Sequence, residues 1–417
     1  MGGYTYTYFQ DEELVSYLGY LHPRKLSSGS LASISSLCAT LDITQTELND
    51  VLAMSAEERY SSLTVPKAGG KERLVFNPHR LLRRIQRRIN NRILGSSDIV
   101  EWPIFLYGSI TNQDYELSED ETHLNKKDYI SCAARHCGAR SILKLDIQSF
   151  FDNIHFDLVK DIFTGFFQYP EEVADALARL CCREDYVVQG ALTSSYLASL
   201  CLYDLEGEVV KRLQRKGFVY TRLVDDITVS SKLISADFTY AKNLIVAMLE
   251  SKDLPVNDAK TQVHRVSTKP LTVHGLRIGF SAPRLPADEV RRIRAAVRNV
   301  ESLARESNYR TTHSYRHDFN RCMGRVNKLQ RVGHAQYESL KDRLNLIKPL
   351  PSVRDIGRAK LMLERLRSDH LKKAGTHWYR TRYYKLQERL NVLQRTYKRV
   401  AFDFRVELKG LKPIKDK

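Results

Sequence analysis

Leu143-Lys-Leu-Asp146-Ile-Gln-Ser-Phe-Phe151 and, further along, Tyr220-Thr-Arg-Leu-Val-Asp225-Asp226-Ile-Thr-Val229 are the two stretches on which the reading of this chain turns. Each is an apolar run that delivers carboxylates where a strand ends. Around the second, two alternating runs, Phe218–Val224 and Ile227–Ser231, flank Asp225-Asp226, a hairpin pattern with acids at its tip. A buried strand that ends in an aspartate needs a partner for it, because an unpaired buried charge costs several kcal/mol. Divalent metal is one such partner. Mg²⁺ takes one or two carboxylates plus substrate phosphates, and two ions can activate a hydroxyl and stabilise a leaving pyrophosphate. Taken singly, either stretch also reads as an ordinary turn.

Outward from these acids the chain divides into three. Residues 1–59 read as a helical extension, with short helices at Glu12–Leu21 and Gln45–Ala53 and a Ser-rich link at Ser27–Ser36. Residues 60–280 read as α+β. A turn at Lys67–Lys71 feeds a strand at Leu74–Phe76, and Leu81–Leu94 is a basic amphipathic helix with Leu81, Leu82, Ile85, Ile89 and Ile93 at helical spacing. Thr111–Lys127 reads as a loop, Ile142–Ile147 as a strand, and Thr193–Leu213 as helical. Residues 281–417 read as basic helices, the first beginning after Pro286 with Val290, Ile293, Val297, Val300 and Leu303 on one face.

Composition narrows the class. The 417 residues are 42% apolar and 28% charged, which excludes a mainly disordered chain, and no run is long enough for a membrane span. Seven scattered cysteines without a CxxC pair fit reduced thiols better than disulfides or zinc, so a soluble, cytoplasmic protein is expected. The formal net charge is +17, and the last 67 residues, with 19 basic against 7 acidic, carry +12 of it. An excess of this size points to a polyanion. Tyr379, Tyr383, Tyr384 and Tyr397 interleave with the cations Arg380, Arg382, Lys385, Arg395, Lys398 and Arg399, a pairing suited to stacking bases and meeting phosphates of RNA. A merely solvated helical face is the alternative.

The flanks of the acids resemble reverse transcriptases, as a series of motifs in order from Pro66 to Gly279. The resemblance implies a right-hand polymerase with fingers and palm, followed by an all-helical basic thumb and C-terminal region. Lys67 and Arg73 in PKAGGKERLVF look like the finger residues on the incoming triphosphate. Asp146, with Ile147 beside it, looks like the first metal position, joined by Asp225 and Asp226 of LVDD, and two Mg²⁺ ions are implied. Phe151 looks like the bulky gate beneath the sugar, which favours deoxynucleotides; a core aromatic beside Phe150 is the other reading. Gln189 and Gly190 of QGALTS look like the segment against the templating pair. Asn257 and Lys260 of LPVNDAKT resemble the later palm motif, with the lysine near the pyrophosphate or simply at the surface. Leu223 and Val224, with His274 and Gly275 of VHGLRIG, fall on the primer and template side.

Within that family, bacterial retron-type enzymes are nearest in pattern. Cys132-Ala-Ala-Arg-His136 resembles their Asn-Ala-x-x-His signature with Cys132 for asparagine, and Val273-His274-Gly275 their Val-Thr-Gly signature with His274 for threonine. Leu223 stands for the usual aromatic and Leu192 for the usual proline. His136 reads as structural. Zinc-ligand His-Asn-His and ribonuclease H-like patterns are absent from the sequence, and the whole resembles the defence-associated reverse transcriptases of bacteria. The implied function is copying a noncoding RNA, as template and primer, into cDNA from dNTPs during phage infection. Two other readings remain open: a template-independent or protein-primed polymerase of the abortive-infection type, and a catalytically silent RNA-binding protein.

Overall fold

Ser33 and Thr44 each begin a helix by closing a capping box. The side chain accepts the N–H three residues on, and Ser36 or Glu47 there accepts the N–H of the cap. These helices, α1 (Ile34–Leu41) and α2 (Gln45–Ala53), belong to a computed structural model that describes residues 21–27, 29–66, 72–113 and 126–414. The chain divides into two compact units, Met1–Arg284 and Leu285–Lys417. All but Leu21 of the helix expected at Glu12–Leu21, and most of the loop expected at Thr111–Lys127, lie outside the described residues.

In the first unit a hairpin of β1 (Tyr60–Pro66) and β2 (Glu72–Pro78) leads into α3 (Arg80–Ile89). Helix α3 buries Leu82, Ile85 and Ile89 and then widens into a looser turn over Asn90–Leu94, where the Asn90 side chain donates to the Leu192 carbonyl at 2.6 Å. There follow β3 (Leu106–Tyr107), α4 (Tyr129–Ala134), β4 (Ser141–Asp146), α5 (Phe156–Asp161), α6 (Glu171–Cys181), α7 (Ser194–Leu200), α8 (Glu206–Arg215), β5 (Val219–Leu223), β6 (Asp226–Ser231), α9 (Thr239–Glu250), β7 (Gln262–Arg265) and a small hairpin of β8 (Thr272–Val273) and β9 (Leu276–Arg277).

Five strands form one sheet in the order β7-β4-β6-β5-β3, antiparallel except where β3 meets β5. Its two faces differ because side chains alternate along each strand. Asp226 pairs with Asp146, Thr228 with Lys144 and with Thr221, and Ser230 with Ile142, so one face is largely polar and carries the acids. Leu143, Leu145, Tyr220, Ile227 and Val229 fill the other face and join the main core with helices α6 to α9.

Arg222 breaks this pattern, since it is fully buried on the apolar face. Its guanidinium takes both oxygens of buried Glu206 at 2.6 and 2.7 Å, and Tyr220 donates to the same carboxylate at 2.7 Å. The remaining N–H groups go to the carbonyls of Ala198 and Ser199, each at 3.0 Å, and of Val224 at 3.2 Å. The first two are end-of-helix acceptors, which need partners once a helix stops. Thr193–Leu213 accordingly forms two helices, α7 and α8, where the pattern suggested one. Removing one member of a buried pair strands the other charge, whereas an apolar pair of similar volume is often neutral. Arg222→Met is expected to destabilise the first unit by about 3–5 kcal/mol, and adding Glu206→Leu to recover most of it. Chemical unfolding of the two variants checks this, and a double mutant no more stable than the single would refute it.

The described part of the second unit is helical: α10 (Ala287–Ala304), α11 (His313–Arg331), α12 (Tyr337–Leu346), α13 (Val353–Lys373), α14 (His377–Leu393) and α15 (Lys398–Lys409). Helix α10 buries Val290, Ile293, Val297 and Val300, the stripe expected after Pro286. Helices α13 to α15 share a core of their own, and Tyr379 and Tyr383 belong to it. That corrects the reading of these tyrosines as stacking groups: with Leu386, Leu390 and Leu393 they complete a helical stripe. The exposed aromatics on α14 are Tyr384 and Trp378. Among the described residues no helix is long and apolar enough to cross a membrane.

Candidate active site

Strand β5 ends at Leu223 and β6 starts at its partner Asp226, which leaves Val224 and Asp225 as a two-residue turn. Val224 adopts φ 58°, a left-handed conformation that costs a β-branched residue about 1–3 kcal/mol. It is held there from two sides. Arg222 donates to its carbonyl, and Gly108, itself at φ +133°, lies so close that a Cβ on it would come 2.9 Å from Val224 Cγ2. The Asp225 carbonyl accepts the Ile147 N–H at 3.1 Å, which ties the tip to the end of β4.

Three carboxylates therefore gather at one edge of the polar face. Asp146 is buried, and Lys260 Nζ reaches both of its oxygens at 2.7 and 2.8 Å. Asn257 adds its side-chain amide at 3.3 Å and its backbone N–H to the Asp146 carbonyl at 2.8 Å. Burial raises the Asp225 carboxyl, and the charge of Asp146 adds to this, while Lys260 and Arg73 oppose it. Partial burial, then the charges of Asp225 and Asp146, push Asp226 up to about 6. The bond to Asp146 raises Lys260 in turn.

The other sequence candidates fall around this edge. Arg73 is exposed on β2, near enough to bear on Asp225; Lys67 lies outside the described residues. Phe151 is half-buried on a turn after β4, its ring 6.0 Å from that of buried Phe150. The Gln189 carbonyl accepts the Phe76 N–H at 2.8 Å, and a Cβ on Gly190 (φ +108°) would meet the Phe76 carbonyl at 2.4 Å. This glycine lets the β1–β2 hairpin lie against the palm. His274 and Gly275, at φ 47° and 79°, form the two-residue turn of the β8–β9 hairpin.

Behind the acids lies a buried polar chain that sequence reasoning did not assemble. His274 Nδ1 is 3.8 Å from Asp226 Oδ2, and its Nε2 is 3.3 Å from Cys132 Sγ. Cys132 is also 3.3 Å from Thr221 Oγ1, and His136 bridges β5 to β6 through Thr221 at 2.8 Å and Ser230 at 2.7 Å. Burial holds His136 down to about 3 and His274 to about 4, so both rings are neutral, and it raises the Cys132 thiol to about 12.

A reverse transcriptase (RNA-dependent DNA polymerase) family model matches residues 65–290. The chain is 43% identical to the retron Ec48 reverse transcriptase of Escherichia coli over 395 residues, covering 94% of this chain and 95% of that one. It is 32% identical to the retron Se72 reverse transcriptase of Salmonella heidelberg, over 80% and 84%. The chain belongs to the retron reverse transcriptases. A telomerase structure from Candida tropicalis also aligns, at 12% identity and TM-score 0.41, over 86% of this chain and 65% of that one.

This retron reverse transcriptase is thus an RNA-directed DNA polymerase with an α+β fingers and palm core and a helical C-terminal region. Three of its four departures from the family pattern, all but Leu223, fall at specific contacts. Leu192 replaces proline where the backbone N–H donates to buried Gln86 Oε1 at 3.2 Å, a bond proline cannot make. Cys132 and His274 touch each other. In the tail, Lys385, Lys398 and Arg399 are exposed, whereas Arg382 pairs with Asp369 at 2.6 Å, Arg395 donates to the Pro349 carbonyl at 2.6 Å and Arg380 to that of Ile414 at 3.3 Å.

Reverse transcriptases use divalent metal ions, and the acids here fit one. Their donors are hard oxygens, and burial first, with the neighbouring carboxylates adding to it, pushes Asp225 and Asp226 upward, a cost that a bound cation would relieve. Among the described residues no three acidic, histidine or cysteine side chains converge to hold an ion alone. A raised carboxyl lowers stability as pH climbs from its ordinary value near 3.8 through about 6, because ionisation is easier in the unfolded chain. Asp225→Asn with Asp226→Asn should therefore raise Tm at pH 7, by more than at pH 5, and abolish any Mg²⁺-induced rise. A Tm that still responds to Mg²⁺ in the double variant would remove these acids from the ion site.

Proposed function

We propose that this enzyme copies a cognate structured noncoding RNA into cDNA in bacterial defence against phage, with Asp146 and Asp225, assisted by Asp226, holding two Mg²⁺ ions. The observation that supports this reading is the cross-strand pairing of Asp146 with Asp226 on the polar face, with Asp225 tied to Ile147 beside them. Bound ions would lower the pKa of the primer hydroxyl and stabilise the departing pyrophosphate. The rest is positioning and electrostatics by the chain itself. Arg73 and Lys67 would meet the triphosphate, and the Ile147 carbonyl would add an oxygen beside Asp146. Phe151 would lie under the sugar, Gln189 and Gly190 beside the templating pair, and Leu223, Val224, His274 and Gly275 beside the primer end. Lys260, paired with Asp146 here, would turn to the pyrophosphate when an ion takes its place. The defence role rests on the resemblance of the whole chain to defence-associated enzymes.

Sequencing the RNA and DNA that copurify with the wild type and with Asp225→Ala/Asp226→Ala tests the reading. One structured RNA in both samples, with complementary DNA in the wild type alone, is the expected result. DNA without a complementary RNA would point instead to untemplated synthesis. Phe151→Ala should relax discrimination against ribonucleotides on the order of 10- to 100-fold, read from the kcat/KM ratio for dNTP and rNTP; an unchanged ratio would return Phe151 to the core.

The exposed cations of the tail generate a further test. Lys385→Ala, Lys398→Ala and Arg399→Ala together should weaken RNA binding and reduce the slope of log K against log salt by up to about 2 to 3, at roughly 0.7 to 0.9 per phosphate contact. An unaltered slope would make the tail a solvated surface.

A further inference from the structure

Cys132 and His274 are the two positions at which the retron signatures are broken, and they lie 142 residues apart in sequence with Sγ and Nε2 at 3.3 Å. The two departures therefore fall on the two sides of one contact. Its place gives it consequence. His274 is the first residue of the β8–β9 turn, its side chain is 11% exposed, and its other ring nitrogen faces Asp226 Oδ2 at 3.8 Å. Cys132 sits on α4, fully buried, and reaches Thr221 on β5, which His136 joins to Ser230 on β6. The chain Asp226–His274–Cys132–Thr221–His136–Ser230 thus connects the catalytic tip to both strands of its hairpin and to the primer-side turn.

We propose that Cys132 and His274 act as a matched positioning pair that orients Asp226 relative to the primer-side hairpin. A neutral imidazole has one N–H and one lone pair, and what one nitrogen contacts decides what the other presents. The Cys132 thiol has a single proton, for which Thr221 Oγ1 and His274 Nε2 compete at 3.3 Å each; when it goes to Nε2, Nδ1 carries the ring proton and turns it towards the Asp226 carboxylate. Without the thiol, the ring can turn over or take the other tautomer and offer Asp226 a lone pair. The pair therefore acts through Asp226, and the inference rests on the catalytic role proposed for that residue.

A double-mutant cycle in single-nucleotide extension tests this, with Tm recorded for each variant. Cys132→Ala removes the thiol, and His274→Asn removes the ring while tolerating the left-handed turn. Each is expected to lower kcat about tenfold with primer and dNTP KM within about twofold, and the double variant to be no worse than the poorer single, the non-additivity of residues in contact. Cys132→Ser, which keeps a donor, should stay within about threefold of wild type. Wild-type turnover in Cys132→Ala, effects that multiply, or a loss carried by primer KM would each overturn the pairing. Asp226→Asn separates the two claims: full activity there would sink the role of Asp226 itself, whatever the cycle gives.

Discussion

Two aspartates stand directly opposite one another across an antiparallel strand pair, an arrangement that repels, and the rest of the palm is arranged to keep them there. The register that opposes Asp146 to Asp226 is fixed from the other face of the sheet. A slip by one residue would turn Leu143, Leu145, Ile227 and Val229 out of the core and the acids into it. Apolar burial on that face supplies the free energy, while on the other face Thr221, Thr228 and Ser230 are buried behind the acids and Asp226 reaches solvent at the edge. One of the three carboxylates is neutralised within the protein, by Lys260 and Asn257 on Asp146. The other two, Asp225 and Asp226, have no such partner among the described residues and are raised, chiefly by burial.

The hairpin tip adds a second strained element, and the same apolar face restrains it. Val224 is held left-handed between Gly108 and the Arg222 guanidinium. Arg222 also ends α7 and binds Glu206 at the start of α8, so a single planar fork sets the helix break, the strand and the turn carbonyl next to Asp225. A buried ion pair is poor evidence for stability, since hydrophobic residues often do as well. Its five donors in fixed directions do what a hydrophobic side chain cannot, which is to hold three carbonyls and a carboxylate in one geometry.

How much of this could be read from the sequence depended on the distance over which each signal acts. Capping boxes, the α10 stripe and the acid-tipped hairpin are local, although the turn falls on Val224-Asp225, one residue earlier than the Asp225-Asp226 tip that the alternation suggested. The acids could be matched to a known order of motifs because each is short and contiguous. Arg222 and Glu206 could not be paired: both types usually lie on surfaces, and nothing near either indicates burial. The helix break at Cys201–Leu205 followed from that unseen pair, so one stretch of helical pattern became two helices. The tyrosines of α14 were legible by their four- and three-residue spacing with Leu386 and Leu390, but their neighbouring cations drew the reading towards stacking. Lys260 illustrates the remaining case, in which the residue is evident and its partner, Asp146, is set by tertiary structure.

The places where this chain leaves its family pattern are where tertiary contacts carry most of the explanation. Leu192 in place of proline is an N–H gained, and buried Gln86 spends its carbonyl oxygen on it while its amide holds Tyr60 and the Leu180 carbonyl. The Cys132 and His274 changes meet in space. The tail is the converse. Its net charge of +12 is read correctly from composition, yet Arg382 and the still exposed Arg395 spend guanidinium donors on Asp369 and the Pro349 carbonyl. The field available to a polyanion is set by the cations left in solvent, Lys385, Lys398 and Arg399 among them, so a count of charges has to be read against the fold before it says how much of that charge is open to a partner.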